Sequence, residues 1–274
     1  MYHGIVNLRS SVAFIKQKRC VADTIRSNYI DEWHAATVKP SSFYAEQAAT
    51  GLKRKCYFYS IDLQGRVFLE ETMPKNLATS LKNTQFLDIF FRNIRRIGAK
   101  EYEYLSSHGA ENDYPYVSPC GIEMNYIRPA DTAIVFHSLR NVSRDSRNSS
   151  SCNSKELCFG GTLTQPFLPA MLVISKRTGR LYHYLSALNE FPTPLHKPGK
   201  RQEYGLLKSS LAVTLSEHLV DGTGPSGAQT EDTYSGMDYI CMETGERFPI
   251  RRLADNDESG PWSLSFQPND SKQM

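Results

Sequence analysis

Two stretches of this chain repeat one pattern: an aromatic and β-branched run, a polar turn closing on Gly-Arg, then a second such run. Cys56-Tyr-Phe-Tyr-Ser-Ile61 reads as a strand, Asp62-Leu-Gln-Gly65 as a turn and Arg66-Val-Phe-Leu69 as the return strand. Met171-Leu-Val-Ile-Ser-Lys-Arg-Thr-Gly-Arg-Leu-Tyr-His183 follows the same plan, and Tyr239 to Phe248, with Gly245, is a third hairpin. A helical pattern follows each of the first two. Phe86, Phe90, Ile94 and Ile97 fall on one face behind a cap at Asn83 or Thr84, with Gly98 as the stop. Leu207, Leu211, Thr214 or Leu215, and His218 line one face of the second, expected over 206–219. Hairpin then helix, twice, predicts an α+β fold of two similar hairpin-plus-helix units, with mostly antiparallel sheets sharing one core.

Other elements fall between these. Pro74 opens a short helix over Asn76 to Leu81, and the alternation in Glu101-Tyr-Glu-Tyr-Leu105 reads as a strand. After a Ser118-Pro-Cys-Gly121 turn, Met124 to Ile127 and Thr132 to Phe136 read as two more strands, joined through Arg128-Pro-Ala-Asp131. The Ser/Asn/Arg-rich stretch at 140–156 reads as a loop between repeat units of about 54–139 and 157–253. A polar tail occupies 254–274.

The first 22 residues hold Arg9, Lys16, Lys18 and Arg19, Ser10 and Ser11, and no acidic residue. Ile5, Leu8, Val12 and Ile15 recur at helical spacing, and basic, acid-poor and amphipathic is the composition of a transit peptide. Residues 1–53 are therefore expected to be a transit peptide and linker, with a short helix near Tyr44 to Gly51, on a protein of the mitochondrial matrix. A formal charge of +3 gives no reason to expect nucleic acid, and no apolar run is long enough for a membrane span. Six cysteines in 274 residues are too sparse for a disulfide framework, so reduced thiols are expected.

Polar chemistry concentrates in Tyr114-Pro-Tyr-Val-Ser-Pro-Cys-Gly-Ile-Glu-Met-Asn-Tyr126, where Pro and Gly constrain the backbone. Ser118, Cys120, Glu123, Asn125, the following Asp131 and the more distant His183 form the candidate ligand-binding set. Two functions compete. One is a non-enzymatic binding or accessory protein for a small molecule or a mitochondrial protein. The other is a small hydrolase or transferase with Cys120 as nucleophile, His137 or His183 as base and Glu123, Asn125 or Asp131 as the orienting group. Ser-Pro-Cys-Gly carries no known nucleophile signature, and polar side chains beside Pro and Gly commonly order turns. Cys152 and Cys158 lack the spacing and the partner pair of a zinc site, so no metal is expected, and no cofactor is implied. Phe159-Gly-Gly161 lies outside any phosphate-cradling pattern and reads as a bulge or turn.

Several of these residues also carry a resemblance. Tyr57-Phe-Tyr59, Asp62-x-x-Gly65, Phe68-Leu69, Gln85-Phe-Leu87, Phe90-Phe91, Ser118-Pro-Cys-Gly121, Glu123-x-Asn125, Pro166-Phe167, Gly179-Arg-Leu-Tyr-His183 and Ser209-x-Leu211 occur in order across residues 55–219. In this the chain resembles an uncharacterised family of animals and bacteria whose human member is named only as an open reading frame on chromosome 8. The resemblance implies mitochondrial residence for animal members, and it brings no activity, cofactor or catalytic residue. The loop at 140–156 and the end of the chain depart from it. A fainter likeness, through Asp62 to Gly65, Phe90-Phe91, Pro119 to Glu123 and Asp131 to Phe136, is to a bacterial family of unknown function with two tandem α/β motifs.

Overall fold

The computed structural model of the protein describes Phe43 and residues 55–142, 155–175, 177–185, 204–222, 234–241 and 244–253. The expected presequence, the linker helix near 44–51 and the polar tail lie outside the described residues.

The first unit opens with the expected hairpin, β1 (Lys55–Ile61) against β2 (Val67–Leu69). Asp62 sets the turn with its own side chain: Oδ1 accepts from Gln64 N at 2.8 Å and Arg66 N at 2.9 Å. After it come α1 (Thr84–Arg92), β3 (Arg95–Arg96), α2 (Ala99–Ser106), β4 (Tyr116–Cys120) and β5 (Glu123–Pro129). The last of these lies parallel to β1, giving the order β2-β1-β5-β4-β3. Next come β6 (Val135–Phe136) and a separate three-stranded sheet of β7 (Ser138–Asn141), β8 (Lys155–Phe159) and β9 (Leu163–Pro166).

The second unit repeats the plan of the five-stranded sheet, with an added strand after its hairpin and, among the described residues, no counterpart of α2. β10 (Leu172–Ile174) and β11 (Leu181–Tyr184) form the hairpin; β12 (Tyr204–Leu207), α3 (Ser209–Ser216) and β13 (Leu219–Asp221) follow, then β14 (Tyr234–Ile240) and β15 (Arg247–Arg252). Its sheet runs β13-β14-β15-β10-β11, extended past β11 by β12 and β6. In both units the last strand lies parallel to the first. The registers agree as well: Ser60 opposite Arg128 corresponds to Val173 opposite Arg251. Beyond those pairs, Ala130 N donates to Ile61 O at 2.7 Å and Leu253 N to Ile174 O at 2.9 Å. Gly65 (φ +78°) and Gly179 (φ +67°) occupy equivalent turns, as do Gly121 (φ +61°) and Gly245 (φ +70°). The fold is thus α+β with two similar units, and they share one core. Phe90 and Phe91 of α1, Leu211 and Leu215 of α3, and strand residues such as Ile61, Ile127, Leu172 and Leu206 are all buried in it. A second, aromatic cluster of Phe43, Phe58, Tyr114 and Tyr126 fills the opposite face of the first sheet.

Local signals were misleading in several places. Residues 101–105 are helical, because Gly98 caps α2 and Glu101 Oε2 reaches back to Gly98 N at 2.9 Å. A single apolar residue, Leu105, is buried on that helix, so its apparent alternation carried no strand information. Residues 76–81 form turns, with Asn76 Oδ1 accepting from Ala78 N and Thr79 N. The first long helix stops at Arg92, since Asn93 turns to donate to Pro119 O at 3.0 Å and Arg95–Arg96 join β4 as an edge. The second is shorter than expected, because Tyr204–Leu207 pairs with β11 and β6 before α3 begins. Ser118-Pro-Cys120 lies inside β4, with the turn at Gly121–Ile122, and both margins of the expected 140–156 loop are strand. Cys241 is disulfide-bonded, a departure from the expected reduced thiols, whereas Cys120 and Cys158 carry free thiols.

Candidate functional site

Ser118, Cys120, Glu123 and Asn125 come together on one face of the β4–β5 hairpin. Side chains alternate along a strand, so Ser118 and Cys120 share a face. Their antiparallel partners across the hairpin are Asn125 and Glu123. The face packs against the C-terminal half of α1. Ser118 Oγ donates to Phe90 O at 2.8 Å, Asn125 Nδ2 donates to Ser118 O at 3.0 Å, and Asn93 Nδ2 holds Pro119 O. Ser118 and Asn125 are fully buried, so the first bond fixes the hairpin to the helix and the second joins its two strands, both away from water. The Cys120 sulfur lies 3.6 Å from Ser118 Oγ, a hydroxyl already engaged with a carbonyl. Its described partner is therefore no base. Past this anchored stem the turn projects outward: Ile122 is 63% exposed, and Gly121 has nothing packed on the side a Cβ would occupy.

Asp131 lies elsewhere, at the joint between the units. Its Oδ2 accepts from Arg180 Nη1 at 2.5 Å and Tyr182 OH at 3.0 Å, tying the end of the first unit to the first hairpin of the second. Burial raises the Asp131 pKa and outweighs the opposing pull of Arg180 and Tyr182. Burial also drives the Tyr182 hydroxyl far upward, with the neighbouring Asp131 carboxylate adding to it.

His183 occupies a third place. It is completely buried. Nδ1 lies 2.6 Å from Tyr184 O, and Nε2 lies 3.1 Å from Leu168 N. A neutral ring donating from Nδ1 and accepting at Nε2 satisfies both. Burial lowers its pKa to about 4, against carbonyl contacts that favour the proton, so the ring is uncharged at neutral pH. It bridges β11 to the segment after β9.

The structure therefore divides the sequence-derived set among three places. Sequence reasoning missed Asp88, whose carboxylate receives Gly161 N at 3.1 Å, Thr162 N at 2.7 Å and Thr162 Oγ1 at 2.6 Å. The Gly-Gly turn packs on α1. It also missed the buried side chains of Glu70, Lys75 and Arg128, the last of them 58 positions from Glu70. A Ser in place of a β-branched residue at position 60, inside an otherwise apolar strand, was the available signal. Among the described residues no three His, Cys, Asp or Glu side chains gather as a metal site, and no helix is long and apolar enough to cross a membrane.

Residues 47–243 match the family described as Domain of unknown function (DUF4505), and the chain belongs to that family. A solved structure of a DUF1285 family protein from Silicibacter pomeroyi is similar at 12% identity, over 74% of this chain and 85% of that one, with a TM-score of 0.35. That similarity is too low to bear on the fold.

Proposed function

We propose that this DUF4505 protein is a non-enzymatic binding or accessory protein of the mitochondrial matrix, with the β4–β5 turn as its recognition surface. The observation that carries this is the contrast between stem and tip. Ser118 and Asn93 tie the stem to α1 and Asn125 ties its two strands together, while Ile122 stands 63% exposed at the end of the hairpin. A preorganised apolar side chain binds with less loss of conformational entropy than one on a mobile loop. Mitochondrial residence is supported by the basic, acid-free first 22 residues and by the resemblance to animal proteins whose human member is the chromosome 8 open reading frame. The rival enzymatic function has less support, since the described partner of Cys120 is a serine hydroxyl and His183 is held neutral on another element.

Two measurements test this. Residues 1–22 fused to a fluorescent protein should direct it to mitochondria, and Glu at Arg9, Lys16, Lys18 and Arg19 should abolish delivery. Tagged wild-type protein and Ile122→Asp, captured from the same mitochondria, should differ by the loss of discrete partners from the variant. A cytosolic fusion would remove the compartment, and identical captures would remove the turn.

A further inference from the structure

Apolar side chains gather on one loop at the edge of the first sheet. β2 is the outermost strand on that side. The chain leaves it at Leu69 and returns at Leu81, whose N–H donates to Val67 O at 2.9 Å. Polar groups fold the loop between on itself. Thr72 N donates to Leu69 O at 3.0 Å, Lys75 Nζ to Glu70 O at 2.7 Å and Ser80 N to Asn76 O at 3.1 Å. Asn76 Oδ1 accepts from Ala78 N and Thr79 N, and Thr79 Oγ1 donates to Pro74 O at 2.7 Å. Close ends and internal bonds make this an Ω-loop, a class that frequently carries function.

Met73 and Leu77 stand 68% and 67% exposed on this loop, and Leu69 at its base is exposed as well. The hydrogen bonds that shape the loop use none of these three side chains, so small polar residues in their places would allow the same turns. Single exposed apolar residues are ordinary, but three on one folded loop mark an interaction surface. The exposed charges beside them are one of each sign, Glu71 on the loop and Lys82 just past it. The one cation within the loop, Lys75, has a side chain only 6% exposed, with its ammonium turned to Glu70 O. An anionic lipid surface attracts exposed Lys and Arg and repels Glu71, so this loop suits it poorly. A partner with charge of a single sign would repel either Glu71 or Lys82. A surface carrying both signs around an apolar crest is complementary to itself.

We propose that the loop from Leu69 to Lys82 is the two-fold interface of a homodimer, each apolar crest being covered by the same loop of a second copy. In such an isologous contact, one residue meeting another is repeated with the two copies exchanged. Met73 and Leu77 of one copy pack on those of the other, and Glu71 of each faces Lys82 of its partner copy. Both charges are thereby matched while the apolar side chains leave water. β1 stands between β2 and the β4–β5 hairpin in the sheet, so this surface is independent of the recognition turn.

The test is sedimentation equilibrium of the purified full chain and its variants. Wild type should have the mass of two chains at about 50 μM. Met73→Asp and Leu77→Asp should each weaken association at least about tenfold, with unchanged circular dichroism. Glu71→Lys and Lys82→Glu should each weaken it too, and the two exchanges combined should restore it, a rescue that a misfolded variant could not give. In cosedimentation with vesicles of phosphatidylcholine and phosphatidylserine the protein should stay in solution. A monomeric wild type, a dimer that persists in both aspartate variants, or a double exchange as weak as its single components would each overturn the proposal. Vesicle binding that is lost in Met73→Asp would assign the loop to lipid and overturn it equally.

Discussion

Asp88 and Gly161, 73 positions apart, are joined by a hydrogen bond of 3.1 Å that leaves no space for a side chain. A Cβ on Gly161 would lie 2.6 Å from Thr84 O and 2.7 Å from Asp88 Oδ1. The β8–β9 turn thus sits directly on the first turns of α1, and it brings the small third sheet against the first unit. Gly161→Ala must push the turn off the helix, and it is expected to destabilise by about 1–3 kcal/mol, as overpacking does. Urea unfolding measures it, and a loss below about 0.5 kcal/mol, the range of neutral surface changes, would show the contact to be unimportant.

Gly65 and Gly179 make a different demand, because both adopt positive φ. Gly65→Val and Gly179→Val are each expected to cost about 1 kcal/mol or more. At Gly65 a Cβ would also lie 3.1 Å from Val135 Cβ, which adds crowding to the backbone strain. Equilibrium unfolding of both variants checks the equivalence of the two turns. Stability unchanged at either position would break it.

His183 makes stability depend on pH. Its pKa falls from 6.5 to about 4 on folding, so between those values the unfolded chain binds more protons than the folded one. Stability therefore rises with pH across that window and is lost as pH falls through it, by about 2 kcal/mol between pH 7 and pH 5 from this group. His183→Gln should remove that increment while lowering stability at pH 7. Comparing the variant with wild type isolates the histidine from other titrating groups, Asp131 among them. Equal acid sensitivity in the two proteins would mean that His183 is not held neutral.

Cys120 is half-buried, and its sulfur touches only a neighbouring hydroxyl among its described partners. Cys120→Ser is expected to fold with stability within about 1 kcal/mol of wild type. It should also restore function to cells lacking the protein, whereas Ile122→Asp should not. A serine variant that folds normally yet fails in cells would promote the thiol to a nucleophile.

Much of the first unit was legible in the sequence because its hairpin signals are local. Asp62 bonds to amides two and four residues away, and Gly65 needs only its own φ, so the turn is encoded within five residues. Gly179 works the same way, and this is why the duplication could be read without coordinates. Helix limits were less legible. Arg95 and Arg96 continue a helical composition but are taken by β4, a partner some twenty positions away. Tyr102 and Tyr104 suggest a strand, yet the bond from Gly98 N to Glu101 selects the helix.

The candidate site divides along the same line. That Ser118, Cys120, Glu123 and Asn125 share a face follows from alternation across one hairpin, which is a local property. That Asp131 meets Arg180 and not this hairpin, and that His183 is buried against Leu168, depends on how two units pack. The sequence alone determined the repeated hairpins, their glycine turns and the apolar faces, since each rests on backbone and side-chain preferences acting over a few residues. Only the tertiary structure decided which polar side chains meet, which histidine loses its proton, and that Glu70 pairs with Arg128. Burial and long-range pairing set those outcomes, and neither is a property of any short segment.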